Sequence, residues 1–262
     1  MKLFVRDARV VSSEGGEPEP KNVLVEDGTI AAVGPDLNEP DEARVLDAEG
    51  KILLPALYDL HVHLREPGRE DTETIETGSN AAVNGGITGM LAMPNTDPAV
   101  DSGSMVDFIG DIAEDDSQID VRTAGCITKD RAGEELAEIG DMKEKGAPMI
   151  TDDGDPVADA QVMRRAMEYA KNFDLIVADH CEIPSLSEDG AVTEGPASYR
   201  LGLPSQPKIS EEICVDRDLR LARLTGARYH VQHLSTAEGL RSVDRFREEG
   251  VRVSCEVTPH HL

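Results

Sequence analysis

Over the first 54 positions, apolar residues come in short runs: Leu3-Phe4-Val5, Arg9-Val10-Val11, Asn22-Val23-Leu24-Val25, Thr29-Ile30-Ala31-Ala32-Val33 and Lys51-Ile52-Leu53-Leu54. Between them stand Glu14-Gly15-Gly16, Glu26-Asp27-Gly28 and Gly34-Pro35, residues that turn a chain because they accept unusual φ or hydrogen-bond their own backbone. Residues 1–54 therefore read as short strands of a small all-β unit.

From residue 56 the pattern changes. Short apolar runs at 57–63, 89–93, 121–126, 148–151, 174–178, 229–233 and 251–255 alternate with stretches whose apolar residues recur every three or four positions. Met105, Ile109 and Ile112 form one such stretch; Ala237, Leu240, Val243 and Phe246, ending at Gly250, form another. Strands alternating with helices imply a parallel α/β sheet. A closed (β/α) barrel needs eight strands, and the seventh is followed directly by Thr258-Pro259-His260-His261-Leu262. Residues 55–262 are thus expected to form an incomplete barrel of about seven strands, with the chain cut short at its C-terminal side.

Charge narrows the setting. The 26 basic and 52 acidic side chains give a net charge of −26, spread along the whole chain, yet 39% hydrophobic residues leave ample material for a core. Nucleic acid and anionic membranes are excluded as partners, because phosphate binding needs clustered Lys and Arg. An acidic surface with 8 Lys against 18 Arg resembles haloarchaeal cytoplasmic proteins, where concentrated salt screens self-repulsion. No apolar run reaches about 18 residues and the N-terminus lacks a signal-peptide pattern, so a cytoplasmic protein is expected. Cys126, Cys181, Cys214 and Cys255 form no C-x-x-C pair and read as reduced, buried thiols.

Candidate chemistry gathers at strand ends. Asp59, His61, His63 and Arg65 occupy alternate positions of the first barrel strand and so share a face; H-x-H spacing suits two ligands on one metal. His180 and His233 fall at the C-terminal ends of the fifth and sixth expected strands, where barrel enzymes build their sites. His230, three positions earlier, reads as a packed, hydrogen-bonded histidine; the role of His260 and His261, after the last strand, stays open, leaning to structure. Thr151-Asp152-Asp153-Gly154 reads as a turn, but its place at the same mouth allows one carboxylate to bridge two metals, an arrangement suited to amide hydrolysis.

These residues resemble a known family. Asp59-Leu60-His61-Val62-His63-Leu64-Arg65-Glu66-Pro67-Gly68, Thr74-Ile75-Glu76-Thr77-Gly78, Asn84-Gly85-Gly86-Ile87-Thr88 and Met93-Pro94-Asn95-Thr96 are similar to the dihydroorotases of the amidohydrolase superfamily. So are Thr151-Asp152-Asp153-Gly154, Asp179-His180-Cys181-Glu182, the run from Tyr229 to Thr236 and the run from Glu256 to Leu262. The series covers essentially the whole chain in order.

The resemblance implies a TIM-type (β/α)8 barrel with a small β-sandwich subdomain, lacking here its last strand and C-terminal segment. It implies two zinc ions: His61 and His63 on one, His180 and His233 on the other, and Asp153 rather than Asp152 bridging them. Arg65 and Asn95 match the residues that hold the substrate's α-carboxylate, a task suited to arginine's planar fork. The implied reaction interconverts N-carbamoyl-L-aspartate and L-dihydroorotate in pyrimidine synthesis. The aspartate that shuttles the proton belongs to an Asp-His-Ala-Pro motif on the eighth strand, so no catalytic residue is assigned within these 262 positions. Competing expectations are a hydantoinase or allantoinase, and a non-catalytic subunit that scaffolds aspartate transcarbamoylase; a homo-oligomer is also open. Two departures from the family pattern, Gly89 and Ile183 after Glu182, are expected to touch no ligand.

Overall fold

Turn chemistry sets the architecture of the N-terminal segment. The computed structural model describes residues 1–12, 15–187 and 190–261; Glu14 of the first expected turn and Leu262 of the last motif lie outside the described residues. The chain divides into two compact units, Met1–Leu57 and Tyr58–Leu262, so the boundary falls slightly beyond the pattern change at 54.

The first unit holds β1 (Lys2–Val10), β2 (Glu19–Glu26), β3 (Thr29–Gly34), β4 (Arg44–Asp47) and β5 (Ile52–Leu53). The two runs at 3–5 and 9–11 join into the single strand β1, whose register shifts between Val5 and Ala8 around Asp7, at φ 54°. The interruption is a bulge, which bends a strand without ending it. Asp27 and Gly28 both adopt positive φ, 48° and 79°, between the antiparallel strands β2 and β3, the pattern that suits a two-residue hairpin. The sheet order is β3-β2-β1-β4, with β5 also on β1, and Val5, Ala8 and Val23 form its buried core.

The second unit follows as β6 (Leu57–Val62, beginning one residue earlier), α1 (Ile75–Asn84), β7 (Ile87–Ala92), α2 (Gly103–Asp116), β8 (Asp120–Thr123), α3 (Ile139–Glu144), β9 (Met149–Ile150), α4 (Ala160–Ala170) and β10 (Ile176–Asp179). Then come α5 (Pro184–Ser187), β11 (Val192–Thr193), α6 (Pro196–Leu201), β12 (Ser205–Gln206), α7 (Ile209–Thr225), β13 (Arg228–Val231), α8 (Ala237–Glu248) and β14 (Val253–Cys255). β6-β7-β8 form one sheet and β9-β10-β13-β14 another. They join where Gly125 bridges Ile150, through Gly125 N to Met149 O (3.0 Å) and Thr151 N to Gly125 O (2.8 Å). All seven expected barrel strands are present and follow one another in chain order; β11 and β12 form a separate parallel pair.

Alternation places the core. On β7 and just past it, Leu91 and Met93 pack with Ala124, Met149 and Ala178 in an inner cluster, while Met90 and Ala92 join the larger cluster shared with the helices. On α4, Met163, Ala166, Met167 and Ala170 are buried at helical spacing, and Asp159 caps the helix by accepting from Gln161 N and Val162 N. α8 repeats the arrangement with Val243 and Phe246 buried and Thr236 capping.

Gly89 now has a reason: a Cβ there would stand 2.4 Å from the Tyr58 ring, and Tyr58 donates its hydroxyl to Met90 O at 3.1 Å. The ring occupies the space that a side chain on β7 would need. No helix among the described residues is long and apolar enough to cross a membrane.

Candidate metal centre

Every candidate ligand lies at or just beyond the C-terminal end of a strand: His61 and His63 at β6, Asp153 after β9, His180 after β10 and His233 after β13. The arc of strands converges them. His61 Nε2 stands 3.3 Å from Asp153 Oδ1, His63 Nε2 3.5 Å from Oδ2 and His233 Nε2 3.8 Å from Oδ1. The rings of His180 and His233 meet at 4.5 Å between centroids, and those of His61 and His233 at 5.4 Å. Two donor groups result, His61-His63-Asp153 and Asp153-His180-His233, each with its ligand atoms within 4.8 Å of one another. They share Asp153. Imidazole and carboxylate donors of this kind suit a divalent transition ion such as zinc.

Asp152 and Asp153 are separated by what they touch. The Asp152 carboxylate accepts from Ile127 N (2.8 Å), Thr128 N (3.0 Å) and the Thr128 hydroxyl, which ties it to the neighbouring loop. Burial pushes its pKa up to about 6 against the pull of those bonds. Burial also acts on Asp153, but hydrogen bonds from His233 and His61 and the charges of His61 and His63 outweigh it and hold this carboxyl well below the usual range. For His61, burial is outweighed by Asp153 and Glu256, which raise it to about 9; for His63 burial prevails over Asn95 and Asp153 and lowers it.

Asn95 links His63, Arg65 and Asp153. Its Oδ1 lies 3.0 Å from His63 Nδ1 and accepts from Arg65 Nη1 at 3.5 Å, while its Nδ2 donates to Asp153 Oδ2 at 3.3 Å. Arg65 and His233 both hold positive φ, 62° and 33°, a strained conformation of the kind that concentrates at functional sites. A cavity of about 520 Å³ opens onto His61, His63, His180 and His233, a size suited to a small cyclic ligand.

A third buried group, Asp179, Cys181, Cys214 and Asp218, also brings possible ligand atoms together. There the Arg217 guanidinium already supplies the positive charge, with Nε 2.8 Å from Asp218 Oδ1 and Nη2 3.6 Å from Asp179 Oδ2. It is a structural ion-pair cluster.

A family model described as Dihydro-orotase-like matches residues 50–239. The chain belongs to the dihydroorotase-like family. It is 48% identical over 262 residues to a dihydroorotase of Solibacter usitatus, covering 100% of this chain and 61% of the relative. To a dihydroorotase of Mycobacterium tuberculosis it is 46% identical over 264 residues, covering 100% and 60%. The chain thus spans about three-fifths of the length of these relatives. Among solved structures, an L-hydantoinase (dihydropyrimidinase) from Arthrobacter aurescens superposes with a TM-score of 0.84 at 24% identity, over 98% of this chain and 58% of that one. A D-hydantoinase gives 0.80 at 23%, over 100% and 58%. Both show that the dihydroorotase-like chain shares its fold with these proteins.

Three contacts of this family member went unseen in its sequence. Glu182, two residues beyond His180 and given no role by the sequence, sits with Oε2 3.0 Å from His180 Nε2. If Glu182 accepts from that nitrogen, His180 Nδ1 is the one left to bind an ion. Glu256 Oε1 stands 2.7 Å from His61 Nδ1. Gln232 lies between the inner barrel and the site: Thr151 Oγ1 donates to its Oε1 at 2.9 Å, and its Nε2 stands 3.4 Å from His61 Nδ1, the nitrogen that Glu256 holds at the shorter distance. The available signal was position, since Glu182 and Glu256 follow strand ends just as the ligands do. Among the remaining histidines, His230 is buried with Nδ1 2.8 Å from Ser254 Oγ, and His261 lines the cavity while its Nδ1 accepts from Thr258 N at 3.3 Å. Asp59 is exposed and accepts from His61 N at 3.1 Å.

Proposed function

We propose that this protein is a dihydroorotase, a cyclic amidohydrolase that interconverts N-carbamoyl-L-aspartate and L-dihydroorotate in pyrimidine synthesis with two zinc ions. The observation that carries the substrate is Arg65. In a chain with 52 acidic side chains against 26 basic ones, this half-buried arginine has no carboxylate within salt-bridge distance among the described residues, and its hydrogen-bonding partner is the neutral amide of Asn95. A guanidinium left without a counter-charge beside the donor groups supports recognition of an anionic substrate, and its fork matches a carboxylate.

His61, His63 and Asp153 would hold one ion and Asp153, His180 and His233 the other. When bound, the ions would polarise the ring carbonyl and make water acidic enough to act as a nucleophile near neutral pH. Arg65 and Asn95 fix the carboxylate end of the ring, and Asn95 carries that position to Asp153 and His63 through its own hydrogen bonds. A scaffold without catalysis would have no use for donor groups that converge on one shared carboxylate.

The test offers zinc-loaded protein, in molar KCl, dihydroorotate, hydantoin and dihydrouracil at equal concentration and follows ring opening and binding. Dihydroorotate alone is expected to bind, and to open in protein that also carries the aspartate of the Asp-His-Ala-Pro motif. Opening of the rings that lack a carboxylate, with dihydroorotate neither bound nor opened, would overturn the reading.

We also infer a cytoplasmic, salt-adapted protein, supported by the net charge of −26 spread over both units. Screening that repulsion should raise the melting temperature by about 10 °C between about 0.1 and 3 M KCl, at about 3 °C per kcal/mol. A melting temperature indifferent to KCl would remove the salt adaptation from this account.

A further inference from the structure

β6 and β14 are the two ends of the arc: β6 pairs only with β7, and β14 only with β13, among the described residues. A side chain nevertheless spans them. Glu256, the residue after β14, places Oε1 2.7 Å from Nδ1 of His61 on β6, and its Oε2 lies 3.2 Å from His230 Nε2 without making a hydrogen bond to it. His230 is oriented in turn by Ser254, 2.8 Å from its Nδ1. The carboxylate is mostly buried, with 17% of its side chain exposed.

The backbone of Glu256 is pinned as well. Its N–H donates to Val231 O at 3.1 Å, and its carbonyl accepts from Leu234 N at 2.8 Å, immediately after His233. One residue therefore grips His61 by its side chain and the His233 loop by its main chain. His61 and His63 differ in this respect: Nδ1 of His63 faces the neutral amide oxygen of Asn95 at 3.0 Å, whereas Nδ1 of His61 faces an anion. A histidine whose Nδ1–H is held by a carboxylate has a fixed tautomer and a fixed ring orientation, keeps its Nε2 lone pair for a metal, and is the stronger ligand.

We propose that Glu256 is a positioning residue for the ion held by His61 and His63, selecting the Nε2-binding tautomer and orientation of His61, with the His230 ring lying 3.2 Å from its second oxygen. The proposal rests on the two-ion reading of the site. Its test needs no turnover. Cobalt(II) is titrated into metal-stripped protein in molar KCl, the visible spectrum reports the ligand field, and competition with a chelator gives the affinity of each ion.

Glu256→Ala is expected to weaken one of the two ions by about 10- to 100-fold and alter its cobalt spectrum, leaving the other near wild type. Glu256→Gln, which keeps shape and an acceptor oxygen but loses the charge, should fall between. His230→Ala should act in the same direction, more weakly, and should add little in the Glu256→Ala background. Wild-type affinities and spectrum in Glu256→Ala would overturn the proposal. Equal losses in Gln and Ala, both tracking a lowered melting temperature, would overturn it in favour of packing alone. A wild-type protein that binds no cobalt would overturn the two-ion reading itself, and this proposal with it.

Discussion

Asp153→Asn is expected to leave the protein unable to hold two ions together. Zinc content should fall from about two per chain to one or fewer, and metal-dependent hydrolysis by at least about 1,000-fold, which corresponds to about 4 kcal/mol in the barrier. Among the described residues Asp153 is the member common to both donor groups, so its loss reduces each group to two imidazoles. Asparagine keeps the volume but offers one oxygen and no charge. Asp152 cannot take over, because Ile127 N, Thr128 N and the Thr128 hydroxyl already claim its oxygens. The metal-free protein gives a second readout. Asp153 is held below its ordinary value, so its interactions stabilise the fold above the unfolded carboxyl range and are lost on acidification; His61, raised to about 9, stabilises the fold below its unfolded value and loses that contribution as pH rises through 9. Melting of metal-free wild type should therefore decline at both ends of the range from about pH 4 to 9, and the variant should be flatter. Elemental analysis showing two tightly held zinc ions in Asp153→Asn would mean that the shared ligand lies elsewhere.

The convergence of the candidate donors was legible because strand periodicity and strand ends are local properties. His61 and His63 alternate on β6, and His180 and His233 directly follow apolar runs, so placing them needed only the barrel order. Contacts across the fold were not legible in the same way. Glu256 reaches His61 from 195 residues away in the chain, and no spacing rule links a residue to a strand at the opposite end of an arc. Gly89 looked like an unexplained departure until the Tyr58 ring was seen lying against it. Adjacent aspartates defeat spacing for a simpler reason: Asp152 and Asp153 differ by one residue but turn to different partners. In the first unit, β4 escaped notice because Arg44-Val45-Leu46-Asp47 is short and its parallel partner, β1, lies some forty residues earlier.

Arg217→Ala is expected to cost about 3 to 5 kcal/mol of stability, the range found when one partner is removed from a buried ion pair. The arginine, on α7, donates Nε to Asp218 Oδ1 at 2.8 Å and Nη2 to Oδ2 at 3.0 Å, and its Nη1 caps Ala158 O at 3.0 Å. Asp179 and Asp218 are wholly buried, and Tyr229 donates its hydroxyl to Asp218 Oδ2 at 3.0 Å. Burial and then the neighbouring Asp218 already raise the Asp179 carboxyl well above its ordinary range; without Arg217 two carboxylates would share a dry pocket with no cation. A carboxyl raised by folding destabilises the fold as pH increases, so the deficit of the variant should shrink on mild acidification. Arg217→Lys should lose less than alanine but not recover wild type, because an ammonium cannot reproduce the fork on Asp218. Arg217→Met combined with Asp218→Leu should be less damaging than Arg217→Ala, since it removes the charge problem along with the pair. Urea midpoints in molar KCl measure all three, and a loss below about 1 kcal/mol in Arg217→Ala would show that the carboxylates need no cation. The cluster bears on the site because Asp179 immediately precedes His180 and its carbonyl accepts from Gln232 N at 3.3 Å. Weakening it should therefore loosen the ion held by His180 and His233 before the one held by His61 and His63.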